Sequence, residues 1–229
     1  MIGSLGHRGP EARACWLSSD GEIALAYTQL SFFKEARAQP VSNARNSIFV
    51  VCNGEIYNHL ELADLLRQLG IAPAMRSDIE IIPYLYELHG TRSFSLLRGE
   101  FAFALYDGEN RSLYLVRDRI GVKPLYFHLA ASSILFASEI KALFAHQRVP
   151  RKLDHASIAT KLFGISLPGS TAFSGIREVK PGCYVKVTGG AILEQSYWSP
   201  TFEVSGAAKP LGELAQEFRE IFDEAVSIR

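Results

Sequence analysis

The chain has 229 residues, 48% of them apolar and 21% charged, which allows one large globular domain, or a domain with part of another, and a sizeable core. Its 24 Lys and Arg balance 24 Asp and Glu with no basic run, which argues against nucleic acid or a membrane surface as partner. No apolar stretch approaches the length of a membrane span, and no signal-peptide pattern opens the sequence.

In chain order, residues 23–33 (IALAYTQLSFF) and 47–52 (SIFVVC) are rich in apolar, β-branched and aromatic residues, and predict strands. The second strand runs into Asn53-Gly54, a tight-turn dipeptide, so an abrupt polar corner is expected there. Residues 58–70 place Leu60, Leu62, Leu65, Leu66 and Leu69 at helical spacing, with Asn58 as cap and Gly70 as stop. Residues 78–89 predict a second helix capped by Asp78, with Pro83 near its first turn, where a missing N–H matters least. Strands at 101–107 and 112–118 flank a hairpin loop, GENRS. A further hairpin follows in PLYFHLA and ILFAS. A short helix at 138–145 has Ser138 as cap, and another at 154–164 has Asp154 as cap. Residues 183–198 read as a hairpin turning at Gly189-Gly190. Hairpins with inserted helices predict a mostly antiparallel α+β domain.

After Trp198 the composition changes. Residues 199–210 read as a linker. Leu211, Leu214, Phe218, Phe222 and Val226 then form one helical stripe, and 211–229 is expected to be the first helix of a further domain. Cys15, Cys52 and Cys183 have no metal-type spacing and read as free thiols of a reducing compartment, so a cytoplasmic protein is expected. The histidines show no cluster, and no metal site is expected.

Eight motifs occur in order: HRGP (7–10), NGEIYNH (53–59), RSDIE (76–80), LRGEFAFALYD (97–107), RDRIGVKPLY (117–126), FASEIKAL (136–143), GIREVKPG (175–182) and YW (197–198). Together they resemble the glutamine-hydrolysing domain of asparagine synthetase and its relatives, the type 2 glutamine amidotransferases, from about Gly6 to Trp198. The resemblance implies a four-layer αββα sandwich of the N-terminal-nucleophile class, with two antiparallel sheets between helices. It also implies chemistry. A cysteine that becomes the first residue attacks the glutamine side-chain amide, with its own α-amino group as base. Ammonia then passes to a synthetase domain. By the same resemblance Asn53 and Gly54 are the oxyanion pair, Asp78 holds the substrate's α-ammonium group, and Glu55 shares that role through its backbone. Asp118, Arg119, Gly121 and Lys123 read as a charged structural turn, His7 and Arg8 as another, and His59 as a helix-start residue.

Two departures stand out. Residue 2 is Ile2, where the family pattern has the nucleophilic cysteine, and the residues before HRGP leave no room for the family's opening strand. Gln29 stands where the pattern has an arginine that grips the substrate carboxylate, and glutamine lacks its charge and its planar fork. Cys52 is expected to point away from the face that carries Asn53, and neither Cys15 nor Cys183 has a free α-amine beside it. The chain as written is therefore expected to be hydrolysis-deficient. Three readings stay open on the sequence alone: a glutaminase domain of an asparagine synthetase-like protein, a degenerate scaffold for a glutamine-independent amide- or lactam-forming synthetase, and an amino-acid-binding module. Glutamine or a related amino acid, a synthetase-like domain or subunit and a second copy in a homodimer are the partners considered. The chain has no pyrophosphate loop, so ATP and Mg are expected only in a synthetase-like domain.

Overall fold

The structure, a computed structural model, describes residues 1–30, 39–131, 133–165, 167–202 and 209–229. It divides into two compact units, Met1–Trp198 and Ser199–Arg229.

In the first unit every strand ladder among the described residues is antiparallel. The central sheet has the order β11-β10-β6-β5-β4-β3. Its strands are β3 (Val41–Ser42), β4 (Ile48–Ile56), β5 (Gly99–Asp107), β6 (Ser112–Arg117), β10 (Cys183–Thr188) and β11 (Ala191–Ser196). The facing layer has two pieces. One pairs β1 (Ala12–Leu17) with β2 (Ala24–Gln29), and the other has the order β8-β7-β9, from β7 (Tyr126–Ala130), β8 (Ser133–Ala137) and β9 (Ile176–Glu178). Part of the predicted strand 23–33 lies outside the described residues, as do residue 132, between β7 and β8, and residues 203–208 of the predicted linker.

Alternation along the central strands makes the layers. On β5, Phe101, Phe103 and Leu105 face one core, while Ala102, Ala104 and Tyr106 face the other. The first core is closed by α1 (His59–Gln68), α2 (Ile81–His89) and the 3-10 segment Gly90–Leu96, through Leu62, Leu66, Ile82, Leu85 and Phe94. Phe94 sits at its centre, with ring centroids of Phe103, Tyr114 and Tyr184 within 6.0 Å. The second core joins the central sheet to Leu25 of β2, Phe127 of β7, Leu125 and Val179, so both small sheets pack on the same face. A third core packs α3 (Ile140–Leu143) on the outer face of β7, β8 and β9, through Ala142, Leu143, Ala137 and Ile176. Helices, sheet, sheet and helix in that order are the predicted α+β sandwich.

Several local expectations are corrected. β4 does not stop at Cys52. It stays paired with β5 through Asn53, Gly54, Glu55 and Ile56, so Asn-Gly is strand and not a turn. Asp78 opens a 3-10 turn (Asp78–Glu80) behind the capping position, which Ser77 occupies, and α2 begins at Ile81. Asn58 precedes α1 but makes no capping bond. It accepts from the Arg98 N–H at 2.9 Å and donates to the Leu96 C=O at 3.0 Å, tying α1 to the approach of β5. The short helix near 138–145 is α3, preceded by Glu139 and not by Ser138. Asp154 caps α4 (His155–Leu162), accepting from the Ser157 N–H at 2.9 Å.

The charged turn after β6 is architectural. The Asp118 carboxylate, fully buried, accepts from the N–H groups of Ile120, Gly121, Val122 and Lys123 at 2.7–3.2 Å. Arg117 donates to the carbonyls of Lys123, Val179 and Gly121 at 2.8 Å and pairs with Glu178 at 2.9 Å. At the chain's start, His7 and Arg8 close a 3-10 segment (Ile2–Arg8) and reach Glu139 at 2.8 and 3.2 Å. The second unit contains α5 (Leu211–Ser227), whose apolar stripe includes a Phe218–Phe222 ring stack.

Candidate active site

The site is built around the C-terminal half of β4. Ile48, Val50, Cys52 and Ile56 face the helix-side core, so the residues between them face the neighbouring sheet. Asn53 thus points between the sheets, opposite Ala102, whose small side chain leaves room. Its Nδ2 is buried and has no hydrogen-bond partner among the described residues. A buried amide left unpaired costs about 1–3 kcal/mol, so an orphaned donor of this kind points to a ligand or a functional role.

Gly54 follows with φ +135°. A Cβ built there would lie 2.0 Å from the Glu100 carbonyl oxygen and 2.7 Å from the Phe101 Cα. Only glycine lets the two strands approach this closely while the backbone takes that angle.

Backbone polarity along β4 follows the antiparallel rule that alternate residues turn both polar groups to the same edge. Cys52 and Ile56 use the outer edge, beyond the end of β3. The Cys52 N–H donates to Gln39 Oε1 at 2.7 Å, and Gln39 Nε2 donates to the Cys52 C=O at 3.0 Å. The Ile56 N–H donates to Asp78 Oδ2 at 2.6 Å. By that rule Gly54, which lies between them, turns its N–H and C=O to the same edge, and no side-chain hydrogen bond reaches either among the described residues. Glu55 has the opposite parity. It pairs with Glu100 of β5, and its side chain is exposed.

The structure therefore brings Asn53, Gly54 and Asp78 together. Asp78 uses one carboxylate oxygen on β4; among the described residues nothing engages the other. Gln29 closes β2 opposite Ala12, and its carbonyl accepts from the Glu11 N–H at 3.2 Å. No contact among the described residues carries it to Asn53. His59 opens α1 with Nδ1 2.7 Å from the Ile56 C=O, a helix-start position. Two residues escape sequence reasoning. Gln39 is one. Ser77 is the other, its Oγ buried and without a partner among the described residues beside Asp78.

The Cys52 side chain lies on the opposite face of β4 from that of Asn53. Cys52 packs on the helix-side core, and burial, with the Asp78 charge second, pushes its thiol well above the usual range despite Lys123. Cys15 is exposed on β1, and Cys183 opens β10 opposite Ser196, its thiol also raised by burial. No group of three metal-ligating side chains occurs among the described residues, and no helix there is long and apolar enough to cross a membrane.

Residues 1–198 match the sequence profile of the glutamine amidotransferase domain family. The chain is 33% identical over 235 residues to Amidase chry2 of Gibberella zeae, covering 98% of this chain and 34% of that protein. It is 28% identical over 233 residues to asparagine synthetase [glutamine-hydrolyzing] 3 of Bacillus subtilis, covering 99% and 37%. It thus spans about a third of the length of these relatives. Among solved structures, glutamine phosphoribosylpyrophosphate amidotransferase from B. subtilis superposes with TM-score 0.53 at 19% identity, covering 77% of this chain and 35% of that one. The sandwich is shared with that fold, and the profile match over the whole first unit places this chain in the glutamine amidotransferase family, in its type 2, asparagine synthetase-like branch.

Proposed function

We propose that the outer edge of β4 is a glutamine pocket, and that in the longer protein this domain serves a synthetase-like region that forms an amide with ATP. The observation that carries the reading is the buried Asn53 Nδ2 beside Gly54, without a partner among the described residues. Those two donors would converge on the side-chain carbonyl oxygen of glutamine, a pairing worth roughly 3–4 kcal/mol per donor when the oxygen becomes an oxyanion. The open oxygen of Asp78 would take the α-ammonium group, a charge-assisted bond of about 1.5–3 kcal/mol.

Hydrolysis further needs a thiolate within reach of that carbonyl carbon and a base beside it. Cys52 turns to the helix-side core and does not face the pocket, and the described residues are expected to bind glutamine without releasing glutamate. Gln29 leaves the α-carboxylate without the arginine fork, and the affinity is expected to be weak. Calorimetric titration with glutamine, alongside an assay for glutamate, tests this. Heat without turnover supports the reading. Absence of heat to millimolar glutamine overturns it. Intact mass and N-terminal sequencing of the protein from its natural source, followed by the glutamate assay on that material, decides whether a nucleophile joins the pocket.

A further inference from the structure

Glutamine binding as described leaves Gln39 unused, yet its side chain makes an uncommon contact. β3 pairs with β4 only at Val41–Val50 and Ser42–Phe49. Beyond Val50 the outer edge of β4 has no strand neighbour among the described residues. A bare edge of this kind is solvated and frays. Here the Gln39 carboxamide takes the place of a peptide group, giving one donor and one acceptor to Cys52 at 3.0 and 2.7 Å. Two residues after Gly54, the Asp78 carboxylate holds the Ile56 N–H at 2.6 Å.

The two side chains bracket one residue. Gly54 carries the unusual backbone angle, and the peptide on its N-terminal side joins it to Asn53. β5 faces the Asn53 carbonyl from the inner edge, so the Asn53–Gly54 peptide is anchored on one side, while its N–H, that of Gly54, faces the outer edge, where β5 gives it no support. Gln39 on Cys52 and Asp78 on Ile56 hold the flanking peptides of that edge, and so steady the direction of the Gly54 N–H relative to Asn53 Nδ2.

We propose that Gln39 is a positioning residue for the Asn53–Gly54 donor pair, acting through the backbone of Cys52. The proposal rests on the glutamine-pocket reading only in what the pair binds; the alignment itself is a property of the protein without ligand. It predicts that the carboxamide matters for its two hydrogen-bonding faces and not for its bulk.

The test uses the full chain in three forms: wild type, Gln39→Met and Gln39→Glu. Unfolding midpoints show that each variant is folded. Glutamine affinity is measured by calorimetry, and the Asn53 side-chain amide is followed by 15N-correlated NMR, assigned with Asn53→Ala. Gln39→Met is expected to move the Asn53 amide resonances and to weaken glutamine binding by about tenfold, the size expected from losing two ordinary hydrogen bonds. Gln39→Glu keeps the acceptor toward the Cys52 N–H, but its second oxygen faces the Cys52 carbonyl. A protonated carboxyl again offers one donor and one acceptor. The affinity ratio of this variant to wild type is therefore expected to return toward one as pH falls from 7 into the carboxyl range. Binding within twofold of wild type and unmoved Asn53 resonances in Gln39→Met overturn the proposal while leaving the pocket intact. If wild type binds no glutamine, the pocket reading falls, and the Asn53 resonances alone decide: moved in Gln39→Met they uphold the positioning role, unmoved they end it.

Discussion

Replacing Gly54 with alanine tests the geometry on which the site depends. The added Cβ would stand 2.0 Å from the Glu100 oxygen and 2.9 Å from its carbonyl carbon, both backbone atoms of the neighbouring strand. Neither can swing aside as a side chain would, so β4 and β5 must separate locally. The backbone angle of +135° adds strain of about 1–3 kcal/mol for a residue with a side chain. Forcing a methyl group into a filled space adds about 1–3 kcal/mol more. The expected loss is thus about 2–6 kcal/mol, a large share of the ~5–15 kcal/mol that holds a typical domain together. Gly70→Ala is the matched control. Gly70 has φ +77° after α1, but no atom lies within 4 Å of the place its methyl group would take, so only strain of about 1–2 kcal/mol is expected. Urea unfolding of the full chain, followed by far-UV circular dichroism, gives both values. A Gly54→Ala loss no larger than that of Gly70→Ala would refute the close approach of β4 to β5.

Asp78→Ala leaves the Ile56 N–H without its acceptor and is expected to lose about 1–3 kcal/mol in the same assay. Asp78→Asn keeps an acceptor, so its stability should stay within about 1 kcal/mol of wild type while calorimetric glutamine affinity falls tenfold or more with the charge. Asn53→Ala removes a buried donor that no group among the described residues uses; its thermal midpoint is expected to match or exceed that of wild type. Glutamine binding to it should weaken about fivefold, equivalent to one hydrogen bond. Glu139 responds to pH. Burial alone would raise its carboxyl, but hydrogen bonds from Lys141, His7 and Arg8 outweigh that and hold it at about 2, below the ordinary 4.5. A depressed carboxyl stabilises the fold fully above its unfolded value and loses that contribution as pH falls from about 4.5 through 2. Acid titration of stability should therefore be shallower in Glu139→Gln over that window; identical curves would show that the network does not hold the carboxylate.

The layers were legible because alternation on β5 separates Phe101, Phe103 and Leu105 from Ala102 and Ala104, and each set meets its own core. The split of the second sheet was not. β9 of that layer has three residues, too few to show a period, and exists only through its neighbour β7; β3 of the central sheet, with two residues, is hidden for the same reason. Asn58 and Asp78 carry the local signature of helix caps. In the fold each is drawn to a tertiary partner instead, the chain near Arg98 for one and the Ile56 N–H for the other. Capping propensity is worth only about 1 kcal/mol, and a longer-range bond of similar size that also closes a strand edge displaces it.

The Asn53-Gly54 corner shows the same competition at the proposed pocket. Locally the dipeptide asks for a turn, because glycine readily takes positive φ. Four further pairs with β5, from Asn53 to Ile56, outweigh that preference, so the strand continues and the positive angle is retained inside it. What would have been a turn becomes a rotated peptide in an otherwise regular ladder, and the residue before it is left with an amide that no group among the described residues pairs. The family motifs identify these two residues as important but say nothing of what keeps them in place. That work falls to Gln39, which precedes Cys52 by 13 positions and hydrogen-bonds its backbone. A lone glutamine in a polar stretch has no periodicity and no capping signature, so a residue of this kind becomes visible only when the edge it completes has been folded.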